Sequence, residues 1–159
     1  MLTEQERAER IGRIEHLPAL AEAAVRDLND SQLDTPYRDG GWNIRQVIHH
    51  LADSHMNAII RMKLLLTEDN PTIKPYDQDS WVALADSAAH PVDASLAILR
   101  GLHDRWGALL RSMPESAWSR PGTHPEIGAI TMDDLLVNYS DHGTNHVGQI
   151  TGLRERNGW

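Results

Sequence analysis

The sequence predicts an all-α protein, a four-helix bundle folded as a single domain over residues 1–159. Three observations carry that expectation. Four long stretches repeat their apolar residues at helical spacing. The segments between them are rich in Pro, Gly and Asp, the residues of turns and loops. No segment alternates apolar and polar residues over a useful length, as a half-buried strand would.

The first helix is expected from about Thr3 to Leu28, opened by a capping box of Thr3 and Glu6. Pro18 is expected to break or kink it. A loop follows from Leu33 to Trp42. The second helix takes Asn43 as its N-cap, with Gln46 three residues on. Its apolar stripe is Ile44, Val47, Ile48, Leu51, His55, Ile59 and Met62. A neighbouring stripe holds Gln46, His50, Asp53, Asn57 and Arg61. A solvated face would be rich in Lys and Glu. Hydrogen-bonding and ligand-type groups imply instead a face that lines something polar inside the protein.

Pro71 and Pro75 forbid helix in the connection from Thr67 to Tyr76. One or two helical turns are expected between Asp79 and Asp86. The third helix runs roughly from Pro91 to Met113, with Leu96, Leu99, His103, Trp106 and Leu110 on its core face. Residues 114–130 read as a loop. The fourth helix starts on Thr131 and stops at Asn157-Gly158. Its inward face is Leu135, Tyr139, His142, His146, Gln149 and Leu153.

Composition narrows the chemistry. The net charge of -8 argues against nucleic acid as a partner, because phosphate binding needs a basic surface. Cys is 0, so disulfides, thiolate ligands and a cysteine nucleophile are excluded, and any metal must rest on His, Asp or Glu. The start, MLTEQERAERIGRIEH, is charged and lacks the apolar core of a signal peptide. No stretch is apolar enough for a membrane span. The expected setting is the cytoplasm, away from any membrane.

The histidines carry the functional signal. His142 and His146 stand four residues apart, on one face of their helix and between apolar residues. Two buried imidazoles each need a partner, and a shared metal satisfies both. The spacing is that of the HExxH metalloproteases, but Gly143 stands where their catalytic Glu would be, so this is not such a protease. A third ligand is available upstream in His49, His50 or His55. His55 lies on the apolar stripe, where a core residue or a support for the ligands is expected, and His49 points elsewhere. His50, central on the polar stripe, is favoured. Three protein ligands leave a fourth position open, as in catalytic zinc sites.

At these residues the chain resembles the DinB/YfiT family of helical-bundle metalloproteins. The segments that carry the resemblance are DSQLDTPYRDGGW, RQVIHHLADSHMNAIIRMKL, LTEDNPTIKPYD, LHDRW and DHGTNHVGQIT, spread from Asp30 to Trp159. The resemblance is to the YfiT branch, typified by the bacillithiol transferase of bacilli. It implies a four-helix bundle holding one divalent metal per chain, zinc first and nickel as the alternative. The implied ligands are His50 from the second helix and His142 and His146 from the fourth. Relatives often carry further histidines around the pair, where this chain has Asp141, Asn145 and Gln149. The difference bears on contacts to the ligands and on metal preference. A homodimer is implied as well, for which Trp81, Trp118 and Trp159, expected to be exposed, would be anchors or else caps of the bundle.

A three-His metal with an open position serves two chemistries. It lowers the pKa of a bound water, giving a hydrolase, or it holds a small thiol as thiolate, giving a thiol S-transferase. The resemblance favours the transferase, with a bacillithiol-like thiol joined to a small electrophile. Many members of the family nevertheless carry the name of metal-dependent hydrolase. A third reading, a non-catalytic metal-locked bundle, fits the open position poorly. Asp53, Asn57 and Arg61 are candidates to contact substrate or orient His50. The duller expectation for Asp53 and Arg61 is an internal salt bridge. Tyr76 would cover the site or pack a bundle end, and Tyr139 would donate near the metal or sit in the core.

Overall fold

The computed structural model describes residues 1–159. Four long helices form the body: α1 (Glu4–Val25), α3 (Ile44–Thr67), α6 (Asp93–Arg111) and α7 (Met132–Asn157). Short helices α2 (Asp30–Leu33), α4 (Gln78–Val82) and α5 (Ala85–Ala88) lie in the connections. The expected four-helix bundle is therefore the observed one. No helix is long and apolar enough to cross a membrane.

The helix starts follow the local chemistry read from the sequence. Thr3, Asn43 and Thr131 each accept a hydrogen bond from the backbone N–H three residues on, and each start closes a full capping box. A fourth box, Asn29 with Gln32, opens α2, which was not anticipated. Gly158, with φ 69°, ends α7 in the left-handed conformation that glycine adopts without strain.

The order of the helices is not a simple up-and-down circuit. Both α1 and α3 pack against α6 and α7, so α1 and α3 are diagonal although consecutive among the long helices. Residues 68–92, with α4 and α5, carry the chain back along α3 to its start, where Gln46 bonds the Val82 carbonyl and His49 meets the His90 carbonyl.

The interior divides into two apolar halves. One gathers Leu17, Ala21, Ile48, Leu51, Leu99, Val147 and Ile150. The other gathers Ile11, Ile14, Met62, Trp106, Leu136 and Tyr139. Between them, on three helices, lie His50, His55, His103, His142 and His146. The polar layer thus sits at the waist of the bundle.

Several sequence expectations are corrected. Pro18 does not break α1, which continues through it to Val25 and not to Leu28. Proline removes the N–H that would bond the carbonyl of Ile14, but that carbonyl accepts from His103 Nδ1 at 2.6 Å. The lost helical bond is replaced and the proline ring is buried. Residues 114–130 are not all loop. A turn of 3-10 helix spans Glu115–Ala117, and strands β1 (Pro121–His124) and β2 (Gly128–Thr131) pair antiparallel. Four-residue strands are too short to show alternation, and the turn rests on Gly128 at φ 82°. Trp118 is not exposed: it is buried under the guanidinium of Arg7, whose Cζ lies 5.0 Å from the ring centroid. Of the other two tryptophans, Trp81 is exposed and packs on Tyr76, and the half-buried Trp159 packs on the first apolar half.

Candidate metal centre

His50 comes from the middle of α3, and His142 and His146 come from successive turns of α7. The helices bring one nitrogen of each to within 4.8 Å of the others. The atoms are the Nε2 nitrogens. His142 Nε2 lies 3.1 Å from His50 Nε2 and 3.2 Å from His146 Nε2. His50 is buried, while His142 and His146 are half-buried, so one side of the cluster is open. His49 is not part of it; its ring bonds Ser95 Oγ at 2.8 Å and the His90 carbonyl at 2.9 Å, fastening α3 to α6.

Burial pushes the imidazoles of His50 and His142 down to about 3, with the neighbouring imidazoles adding to the effect. Burial also lowers His146, opposed by its hydrogen bond to Gln149. All three rings are therefore neutral near pH 7, the state a metal needs. Outside the cluster, His146 Nδ1 meets Gln149 Oε1 at 2.9 Å and His142 Nδ1 meets His55 Nε2 at 3.3 Å. With protons on those outer nitrogens, Nε2 lone pairs face one another, and a cation resolves that repulsion. The residues present fit a divalent metal with three imidazole ligands.

A pocket of about 520 Å³ opens onto His142 and His146. Its walls include Tyr37, Arg38, Trp42, Gln78 and Asp79. Trp42 lies against His50, with ring centroids 4.6 Å apart, and stacks on His146 at 6.1 Å. Its indole N–H donates to Asp79 Oδ1 at 3.1 Å, tying the loop before α3 to α4. A cleft of about 740 Å³ around Leu2, Arg7 and Trp118 is larger. Its principal charges are spent on each other, in the pairs of Arg7 with Asp133 and Glu115, and it holds no ligand cluster.

The remaining candidates fall near the site but off the cluster. Arg61 donates to Tyr139 Oη at 2.6 Å and to the Lys74 carbonyl at 2.7 Å, and its Nε is buried without a partner. The internal salt bridge expected for Arg61 and Asp53 is not formed: neither is among the ion pairs, and eight positions put them about 12 Å apart along α3, too far to pair with each other. Asp53 is half-buried, and burial together with Asp86 raises its carboxyl. Asn57 Nδ2 donates to the Asp53 carbonyl. Tyr76 is half-buried under the Arg61 guanidinium, 5.9 Å from its ring centroid, and burial raises its phenol. Tyr139 is buried, meets His142 edge-on at 6.2 Å, and gives its oxygen to Arg61, not to the cluster. Sequence reasoning missed Trp42 as a wall of the site. Its only signal was an aromatic residue immediately before a helix bearing a ligand-type His.

Gly143 has a structural explanation. A Cβ there would lie 2.5 Å from Leu17 Cδ2 and 3.3 Å from His55 Cε1. The position where a protease carries its Glu is here the close approach of α7 to α1 and α3.

A helical bundle with three convergent histidines at its waist, open on one side, defines a class of metal-centre protein. The chain belongs to the DinB superfamily, whose family model matches residues 13–150. Among similar proteins, one from Oceanobacillus iheyensis named "Putative metal-dependent hydrolase" is 50% identical over 149 residues, 94% of this chain and 86% of its own length. YfiT of Bacillus subtilis, under the same name, is 50% identical over 147 residues, 92% of this chain and 83% of its own. The solved structure titled "YfiT from Bacillus subtilis is a probable metal-dependent hydrolase with an unusual four-helix bundle topology" superposes with a TM-score of 0.97 at 46% identity, covering 100% of this chain and 91% of that one. The four-helix bundle protein TT2238, 18% identical with a TM-score of 0.61, shares the fold. The resemblance read from the sequence is thus borne out.

Proposed function

We propose that the protein is a metal-dependent thiol S-transferase, with His50, His142 and His146 holding one divalent cation, zinc first and nickel second. The observation that carries the reading is the cluster of three neutral imidazoles at the floor of a pocket large enough for a small polar molecule. A bound divalent cation supplies Lewis acidity toward a water or a thiol at its open position. The chain itself contributes placement. Trp42, packed against His50, walls one side of the pocket, and Arg38, Gln78 and Asp79 offer polar contacts at its mouth.

No carboxylate touches the three histidines; their ring nitrogens meet one another, His55 and Gln149. Hydrolysis gains from a general base beside the attacking water. Thiol transfer needs only a deprotonated sulfur and an aligned electrophile. The sulfur forms the new bond to the electrophilic carbon, the leaving group departs with its electron pair, and the thiol proton passes to solvent. The chain has no cysteine, so the thiol is a cosubstrate, bacillithiol or a similar small thiol. A homodimer in the cytoplasm completes the reading.

Hydrolysis is the second reading, favoured by the names of the relatives. Offering small thiols with an electrophile such as monochlorobimane, against a panel of esters and amides, separates the two. Conjugation that requires both metal and thiol supports the transferase. Metal-dependent cleavage of an ester or amide without thiol, and no conjugation, overturns it.

A further inference from the structure

Two buried histidines lie outside the three-His cluster: His55 on α3, 0% exposed, and His103 on α6, 1% exposed. They connect His142 to the opposite side of the bundle through a chain of hydrogen bonds. His142 Nδ1 is 3.3 Å from His55 Nε2, His55 Nδ1 is 2.9 Å from His103 Nε2, and His103 Nδ1 is 2.6 Å from the Ile14 carbonyl oxygen.

The last link sets the direction of all the others. A carbonyl oxygen only accepts, so His103 donates from Nδ1–H and keeps a lone pair on Nε2. That lone pair requires His55 to donate from Nδ1–H, which leaves the His55 Nε2 lone pair to accept from His142 Nδ1–H. The proton of His142 is thereby placed on Nδ1, and its lone pair on the Nε2 that faces His50 and His146. The anchor has a cause in the sequence. Pro18, four residues after Ile14, has no N–H, so the Ile14 carbonyl is free of its helical partner and available to His103.

We propose that His55 and His103 are positioning residues for the metal ligand His142: the chain from the Ile14 carbonyl through His103 and His55 fixes the His142 tautomer and ring orientation that present Nε2 to the cation. The same chain ties α1, α6, α3 and α7 together at the waist. This rests on the reading of the three-His cluster as a metal site, which the test separates from it.

Long-range 1H–15N correlation spectra of the metal-free wild type read the tautomers directly. Protons on Nδ1 of His55, His103 and His142 are expected; a proton on Nε2 of any of them overturns the proposal. Zn2+ affinity, measured by competition with a chromophoric chelator, is expected to fall about 10–100-fold in His55→Leu. His55→Gln keeps an oxygen acceptor near the Nε2 position and recovers most of the loss. Unchanged affinity in His55→Leu, or an equal loss in Leu and Gln, overturns the positioning role. Circular dichroism of the metal-free variants checks that each is folded. If His55→Leu does not fold, His103→Leu takes its place, with a several-fold loss of affinity expected and none overturning. A wild type that takes up no Zn2+ overturns the metal reading and this one with it. Zn2+ binding with His142 protonated on Nε2 in the metal-free protein overturns this one alone.

Discussion

Replacing Gly143 by Ala puts a methyl group into a close approach of α7 to α1 and α3. The new Cβ would stand 2.5 Å from Leu17 Cδ2, 3.0 Å from Leu17 Cδ1 and 3.3 Å from His55 Cε1. Leu17 is 2% exposed within the first apolar half, so its methyls have little room to withdraw. Overpacking of this kind costs about 1–3 kcal/mol, against which the helix propensity of Ala over Gly gains about 1 kcal/mol. The net expectation is a loss of up to about 2 kcal/mol, which lowers Tm by several degrees in a domain of this size. The origin of the effect is read from a double-mutant cycle. Leu17→Ala removes the colliding methyls, and in that background Gly143→Ala is expected to stabilise by about 1 kcal/mol, a coupling of about 1–3 kcal/mol. Urea melts of the four metal-free proteins measure it. A cost that is the same in both backgrounds, or a stabilised Gly143→Ala single variant, refutes the steric argument.

Other expectations concern charge and specificity. Arg7→Met strips the buried Asp133 carboxylate of its guanidinium partner at 2.8 Å and is expected to cost about 3–5 kcal/mol in a urea melt; a loss under about 1 kcal/mol contradicts the pairing. His49→Ala loses hydrogen bonds to Ser95 and the His90 carbonyl and is expected to destabilise by about 1–3 kcal/mol, yet keep full metal content by elemental analysis. Acid destabilises the metal-free protein. His50 and His142 sit near 3 when folded against 6.5 when free, so in that window the unfolded chain binds protons that the folded chain refuses. Stability is therefore full above about pH 6.5 and falls as pH drops toward 3. Melts in chelator at several pH values check the slope, and stability that is flat or rising toward acid contradicts it.

The bundle was legible because its signals are local and repeated. Capping residues at Thr3, Asn43 and Thr131 mark the helix starts, and the stripes of α3, α6 and α7 mark the buried faces. The pair His142 and His146 was legible for the same reason, since i, i+4 spacing fixes a shared face. His50 required a choice among neighbours, which the polar stripe favoured; the packing of α3 on α7 brings His50, and not His49, beside the pair. Less local features escaped. Pro18 reads as a breaker because its partner, His103, lies 85 residues away and its compensation is tertiary. Trp118 reads as a surface residue because nothing nearby in sequence announces Arg7 as its cover. The diagonal placement of α1 and α3 depends on loops whose lengths permit several circuits. Gly143 reads as a missing base, whereas its reason is a contact with Leu17 on another helix.

Elemental analysis of purified wild type beside His50→Ala, His142→Ala and His146→Ala asks whether these three histidines hold one divalent metal. One equivalent of a divalent metal per wild-type chain is expected, with a large loss of it in each variant and all four proteins folded. No bound metal in the wild type, or full occupancy retained in His142→Ala, would contradict it.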